Sequence, residues 1–283
     1  MKRQLPKRKW ANGIVSLVLC VLLLAVSFRM RLKEQPGWVD IVVFGDSVCG
    51  GIRDETGITD QLSERTQMSV LNGALGGTCI SRIDQECRLD YAKDSLSLAG
   101  LTKAVMARDF GVQQAFRIRE SNTEYFENVV DELERIDFTT VKLVVICHGL
   151  NDYYDGVPIS NEADPYDEYT FSGALRSSLQ ALQKANPDMG IVLVTPTYTW
   201  HRELGLTCEE YDGGGGIQED YIRAQMEIAE EFGLEVVDLY HDFFPHDTWE
   251  DWELYTWDGM HPNEAGREKI AGKIADHILG NRE

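Results

Sequence analysis

The 283-residue sequence predicts an α/β fold, a parallel sheet covered on both faces by helices. Two observations carry that prediction. Short uninterrupted apolar runs such as Ile41-Val42-Val43-Phe44 and Val144-Val145-Ile146 have the pattern of strands buried on both faces. Between them lie amphipathic stretches of helical period, and strand–helix alternation implies right-handed crossovers within one parallel sheet. A third observation concerns where the polar residues fall. Gly45-Asp46-Ser47, Gly76-Gly77, Gly149-Leu150-Asn151 and Asp258-Gly259-Met260-His261 each follow a strand or the loop after one. Strand ends of a parallel sheet open on one edge, so these residues can meet there.

Each element has its own reason. Residues 41–44 form a strand that runs into Gly45, where a sharp turn is permitted. Residues 57–68 have mixed polarity and read as a helix. Val70 and Leu71 are a short strand before the glycine-rich loop 72–78. Residues 80–120 carry no clear period. Ser121-x-x-Glu124 is a capping box, and Phe126, Val129, Val130, Leu133 and Ile136 recur at helical spacing behind it, predicting a helix over 122–136. Residues 141–147 are a strongly apolar strand. Residues 169–185 read as a helix stopped by Asn186-Pro187, and 191–195 as a strand stopped by Pro196. The long loop 196–216 ends in four consecutive glycines, Gly213 to Gly216, and is expected to be mobile and to border the site. A helix over 217–232 and a strand over 235–238 follow. The last helix carries Ala265, Ile270, Ile274 and Ile278 along one face.

The start of the chain is different. Lys2, Arg3, Lys7, Arg8 and Lys9 precede an uncharged run over residues 10–28, close to the shortest length that spans a bilayer. A core helix would be amphipathic, and this run is not. A cleaved signal peptide has a site at Ala25-Val26-Ser27. A signal anchor accounts for the length and for Arg29, Arg31 and Lys33 after the run, and is the preferred reading. Five basic residues before the run against three after it favour a cytoplasmic N-terminus and an exported body. Residues 1–9 are then cytoplasmic, 10–28 the transmembrane anchor, 29–37 a linker and 38–283 one domain. The expected location is the cell membrane, single-pass, with the domain outside, or secreted if the segment is cleaved.

Charge excludes one class of partner. Residues 1–37 hold eight Lys/Arg and one acid, a net +7, so the overall −20 leaves −27 on the rest. Such an acidic body repels phosphate backbones, and nucleic acid is not an expected partner. Of six cysteines, Cys20 lies in the apolar run; Cys79 and Cys87 are close enough for a small disulfide loop, and Cys147 reads as a core thiol. No Cys/His spacing resembles a metal site, and no cofactor is expected.

The residues gathered at the strand ends suit acyl chemistry. A serine hydroxyl is a poor nucleophile until a base takes its proton, and His261 can be that base. Asp258 can accept a hydrogen bond from His261 Nδ1 and hold the useful tautomer. An oxyanion needs donors, and the Asn151 amide with the backbone N–H groups of Ser47 and Gly77 can supply them. Each residue also has a plain reading: Asn151 as a turn former, Asp258-Gly259 as a turn, Pro262 as a helix start, Gly76-Gly77 as a tight turn. Their joint occurrence, in order, favours the chemical one.

The set resembles the GDSL-like, or SGNH, hydrolase superfamily over about residues 39–280. Gly45-Asp46-Ser47 resembles its first block, Asn72 to Thr78 its second, Gly149-Leu150-Asn151-Asp152 its third, and Asp258-Gly259-Met260-His261-Pro262 its last. The spacing from Asn72 puts the oxyanion glycine at Gly77, with Gly76 as the fallback. Two positions depart from the pattern, Val48 where the first block usually continues with Leu and Ala74 where the second usually has Gly. The resemblance implies a flavodoxin-like three-layer α/β/α sandwich and metal-free ester hydrolysis through an acyl-serine.

The expected function is thus that of an exported serine esterase acting on acyl esters, acetyl above all. Trp200, Trp249, Trp252 and Trp257 lie in the two loops that should border the site; they suit stacking on sugar rings, or alternatively packing of those loops. The alternatives are a lipase or lysophospholipase, an acyltransferase, and an idle binding domain of the same fold.

Overall fold

The computed structural model describes residues 37–83, 92–115 and 126–280. The expected basic N-terminus and membrane segment, most of the linker, the Ser121 capping box and Cys87 lie outside them. Among the described residues, no helix is long and apolar enough to cross a membrane.

In chain order the elements are β1 (Ile41–Gly45), α1 (Ser47–Gly50), α2 (Ile58–Thr66), β2 (Val70–Asn72), α3 (Ala92–Ser95), α4 (Leu98–Ala107), α5 (Gly111–Ala115) and α6 (Phe126–Arg135). There follow β3 (Leu143–Cys147), α7 (Leu150–Tyr154), α8 (Phe171–Ala185), β4 (Gly190–Val194), a small hairpin of β5 (Trp200–His201) and β6 (Leu206–Thr207), and α9 (Gln218–Phe232). The chain closes with β7 (Glu235–Val237), α10 (Trp252–Tyr255) and α11 (Glu264–Gly280).

Five strands form one parallel sheet in the order β2-β1-β3-β4-β7. This is the order of flavodoxin-like sheets, which reverses direction between β1 and β3. Side chains alternate across each strand and so divide the core in two. Val42, Phe44, Val144, Ile146 and Leu193 pack on one face against α4, α6, α8 and α9. Ile41, Val43, Val145, Val192 and Val194 pack on the other against Ile58 and Leu62 of α2 and Ile270 and Ile274 of α11. Each such side chain removed from water stabilises the fold by roughly 1.5–3 kcal/mol.

Several boundaries move for local reasons. The helix at 57–68 ends at Thr66 because Gln67 turns left-handed, φ 56°. The helix at 169–185 begins at Phe171 because the Thr170 hydroxyl caps it, accepting from Gly173 N–H at 3.2 Å. The third strand starts at Leu143, not 141, because Val141 still closes a 3-10 turn begun by Asp137. The unpatterned region holds α4, capped by Ser97, whose Oγ accepts from Gly100 N–H at 3.1 Å.

The loop over 196–216 is more built than its glycines suggest. It contains the β5–β6 hairpin, with Tyr198, Trp200 and Cys208 buried. A Cβ on Gly215 would lie 2.0 Å from the Tyr221 hydroxyl and 2.4 Å from Val157 O. The Asp212 carboxylate accepts from Gly214 N–H and Gly216 N–H. Here the glycines permit close approach.

Candidate active site

The reversal between β1 and β3 puts the ends of those two strands beside a crevice. Ser47 follows β1 as the first residue of α1, and Asp46 caps that helix by accepting from Val48 N–H at 3.0 Å. Asn151 lies in the first turn of α7, directly after β3 and Gly149. His261 is delivered by the turn before α11. That turn is closed by Trp257 N–H to His261 O at 2.9 Å and by Gly259 N–H to the Thr256 hydroxyl at 2.9 Å.

The three residues expected to form a relay stand together. Ser47 Oγ is 3.0 Å from His261 Nε2, and His261 Nδ1 is 2.7 Å from Asp258 Oδ2. The other Asp258 oxygen accepts from the N–H groups of Met260 and His261, at 3.0 and 2.8 Å. Burial alone would raise the Asp258 carboxyl, but these bonds and the His261 charge outweigh it and hold it below the ordinary carboxylate range. An ionised Asp258 accepts from Nδ1–H, which leaves Nε2 able to accept from Ser47.

The expected oxyanion residues lie on the neighbouring segments. The Asn151 amide donates one hydrogen to Thr78 O at 2.9 Å, which orients the group and leaves its second hydrogen available. Gly77 has φ +73°, a conformation that L side chains rarely adopt, although a Cβ there would meet no atom within 4 Å. Conformation, not space, calls for glycine at this position.

Three residues with no part in the sequence-based site hold these groups. Asp152, fully buried, accepts from Ile80 N–H at 2.8 Å, from Ser81 N–H at 3.0 Å and from the Ser81 hydroxyl, tying α7 to the loop that carries Gly77. The Arg53 guanidinium donates to Asn72 O and Ala74 O, tying the segment after α1 to the start of that loop. The third is Asp46. A strand followed by Asp and Ser is a cap signal that could have marked it, and Asp152 is the acid next to Asn151, but nothing local marks Arg53. His148 is also buried beside the site; burial pushes its imidazole down to about 3, which makes it a neutral core residue and no second base.

Asp46 carries a pH consequence. Burial pushes its carboxyl up to about 7, against the Val48 N–H bond and the charge of His261. The unfolded chain should lose that proton near pH ~4, so folding takes up a proton between about pH 4 and 7, and stability falls as pH rises through that window. Asp152, raised by burial to about 6, acts in the same sense. Asp46→Asn keeps a good N-cap and removes the ionisation. It should unfold at higher urea than wild type at about pH 8, with the margin shrinking as the pH falls from about 7 to about 4. A margin independent of pH would refute a buried, titrating Asp46.

Comparison with known proteins gives the following. The sequence matches the model of the GDSL-like Lipase/Acylhydrolase family over residues 43–269. No curated protein matches it. A solved structure from Lactobacillus plantarum is 19% identical with a TM-score of 0.61, covering 87% of this chain and 99% of that one. A possible lipase from Chitinophaga pinensis is 16% identical with a TM-score of 0.55, covering 86% and 98%. A carbohydrate acetylesterase from Sinorhizobium meliloti is 14% identical with a TM-score of 0.53, covering 85% and 98%. At these identities the likeness is one of fold.

Proposed function

Since the chain belongs to the GDSL-like lipase/acylhydrolase family, we propose that it is a serine esterase that hydrolyses acyl esters, acetyl esters of carbohydrates first among them. The observation that carries the reading is the continuous relay from Ser47 Oγ through His261 to Asp258, at 3.0 and 2.7 Å. Ser47 Oγ attacks the ester carbonyl carbon while His261 Nε2 takes its proton. The carbonyl oxygen becomes an oxyanion held by the N–H groups of Ser47 and Gly77 and the free hydrogen of the Asn151 amide. The C–O bond then breaks, and His261 returns the proton to the leaving alcohol. Water, deprotonated by the same imidazole, releases the acyl group and restores Ser47. Every proton moves through His261 Nε2, so the chain's own residues supply the chemistry without a further group.

A fluorophosphonate should label Ser47 and no other serine, as read by peptide mass mapping. Absence of label on Ser47 in protein that hydrolyses phenyl acetate would sink the assignment.

The same proposal places the domain outside the membrane on an N-terminal signal anchor, on the strength of the apolar run and its flanking basic residues. Mass measurement of membrane-extracted protein should return the full chain. A mature N-terminus at Phe28 would instead make the segment a cleaved signal.

A further inference from the structure

Beside Asp258 is an open pocket that the proposed chemistry does not use. Its walls include Tyr154, His201, Arg202, Glu203, Tyr211 and Asp258. It stands against the relay on two sides. Tyr154 lies three residues after Asn151 on α7, and Asp258 and Met260, also a wall residue, lie just before His261 in sequence. The pocket meets the relay at Asp258 and not at Ser47, so a group bound there lies away from the reacting carbonyl.

The pocket is held firmly to the catalytic turn. Trp200 N–H donates to Gly259 O at 2.9 Å. Gly259 has φ +92°, and a Cβ there would lie 2.6 Å from Trp200 O and 3.0 Å from Trp200 Cβ, so hairpin and turn are in register only with glycine at this position. His201 packs against both Tyr154 and Tyr211, with ring centroids 4.5 and 3.8 Å away and the two tyrosine rings 6.2 Å from each other, and is bonded at 2.7 Å to the buried Tyr153 hydroxyl. Burial keeps His201 neutral, pushed down to about 4. It belongs to an aromatic cluster with Tyr154 and Tyr211, and those two partly exposed tyrosines present the cluster to the pocket.

Of the four tryptophans expected either to stack on sugar rings or to pack their loops, only Trp200 lines this pocket. Trp200, a wall residue, is itself buried against Tyr198, and the ring of Trp252 lies 3.7 Å under the Arg202 guanidinium. Trp249 and Trp257 are partly exposed and are not pocket walls.

We propose that this pocket binds a sugar ring of a carbohydrate ester away from its reacting carbonyl, an inference that rests on the esterase reading. Three features select the ligand. The partly exposed rings of Tyr154 and Tyr211, with Trp200, Leu204 and Met260 also on the walls, suit the apolar face of a pyranose. Arg202, Glu203 and Asp258 ring that surface with groups able to bond hydroxyls, and a long acyl chain laid there would desolvate them without compensation. Two carboxylates beside one guanidinium disfavour an anionic ligand.

The test compares wild type with the Arg202→Ala, Glu203→Ala double variant and, separately, with Tyr211→Ala. The first pair of residues is exposed, so the double variant should fold. The substrates are acetylated xylo-oligosaccharides, acetylated chito-oligosaccharides and phenyl acetate. Wild type should prefer at least one glycan over phenyl acetate in kcat/KM. That preference ratio should fall about tenfold in the double variant and further in Tyr211→Ala, through KM more than kcat. An unchanged ratio, or a wild type that prefers phenyl acetate to every glycan, overturns the pocket assignment and leaves the esterase reading standing. Absence of Ser47-dependent cleavage of all three substrates overturns both.

Discussion

Ser47→Ala is expected to reduce kcat for phenyl acetate by about 10⁵–10⁶-fold, and His261→Ala by a similar factor. The physical reason is that in the proposed mechanism Ser47 and His261 act as a unit. Without Ser47 there is no acyl-enzyme to form, and without His261 the hydroxyl keeps its proton at neutral pH. The double variant should therefore lose little more than either single one. Residual turnover would come from the donors around Gly77 and Asn151, which can still polarise a carbonyl toward water. The loss can be assigned to chemistry because Ser47 is only partly buried and its Oγ bonds His261. Circular dichroism and urea midpoints of Ser47→Ala should match wild type. Near wild-type turnover in the Ser47→Ala protein would mean that the relay has another purpose.

Much of this site was legible in the sequence because its parts are local. Gly45-Asp46-Ser47, Gly149-Leu150-Asn151 and Asp258-Gly259-Met260-His261 are each a strand or loop exit a few residues long. The parallel sheet then supplies the long-range geometry, since its topology brings strand ends to one edge. The strands were legible for the same reason. The three central strands, buried on both faces, read as unbroken apolar runs; they and the two more exposed edge strands are found within a residue or two of the predicted positions.

What could not be read depends on contacts made across the chain. Arg53 reaches Asn72 O and Ala74 O, nineteen and twenty-one positions away. Asp152 reaches back more than seventy positions to Ile80 and Ser81. The β5–β6 hairpin has two residues per strand, too few for alternation to register. Helix α4 lies in the stretch without a clear period, and its Gly100 has a low helix propensity. A Cβ there would meet Asp94 O and Ser95 O at 2.6 Å, so the residue is glycine to let the chain pass close to itself. The four glycines at 213–216 misled in the same direction. Composition registers only their freedom, which the fold uses at Gly214 and Gly216 (φ +123° and +129°), whereas Gly213 and Gly215 are needed for their lack of a side chain.

Asp258→Asn should lower kcat by about 10³–10⁴-fold while leaving KM and stability close to wild type. Asp258 has two separate duties. Its Oδ1 closes the turn by accepting from Met260 and His261 N–H, and its Oδ2 accepts from His261 Nδ1. Asparagine keeps a carbonyl oxygen for the first duty, so the turn and the position of the imidazole should persist. For the second it offers an NH₂, which donates to Nδ1 and so places the ring proton on Nε2. That tautomer points a hydrogen at Ser47 Oγ and cannot accept one. The imidazolium formed during attack also loses its neighbouring carboxylate, which in the native protein is held ionised below the ordinary carboxylate range. Because the Asp258 side chain is 48% exposed, solvent softens this electrostatic loss, so the tautomer accounts for most of the effect. Asp258→Ala separates the two causes. It removes the wrong donor along with the right acceptor, leaves both tautomers accessible, and should be less damaging to kcat than Asp258→Asn although it destabilises the turn more. Nitrogen chemical shifts of His261 should report protonated Nε2 in Asp258→Asn and protonated Nδ1 in wild type. Turnover within about tenfold of wild type in Asp258→Asn, with the ring still protonated at Nδ1, would remove Asp258 from the relay.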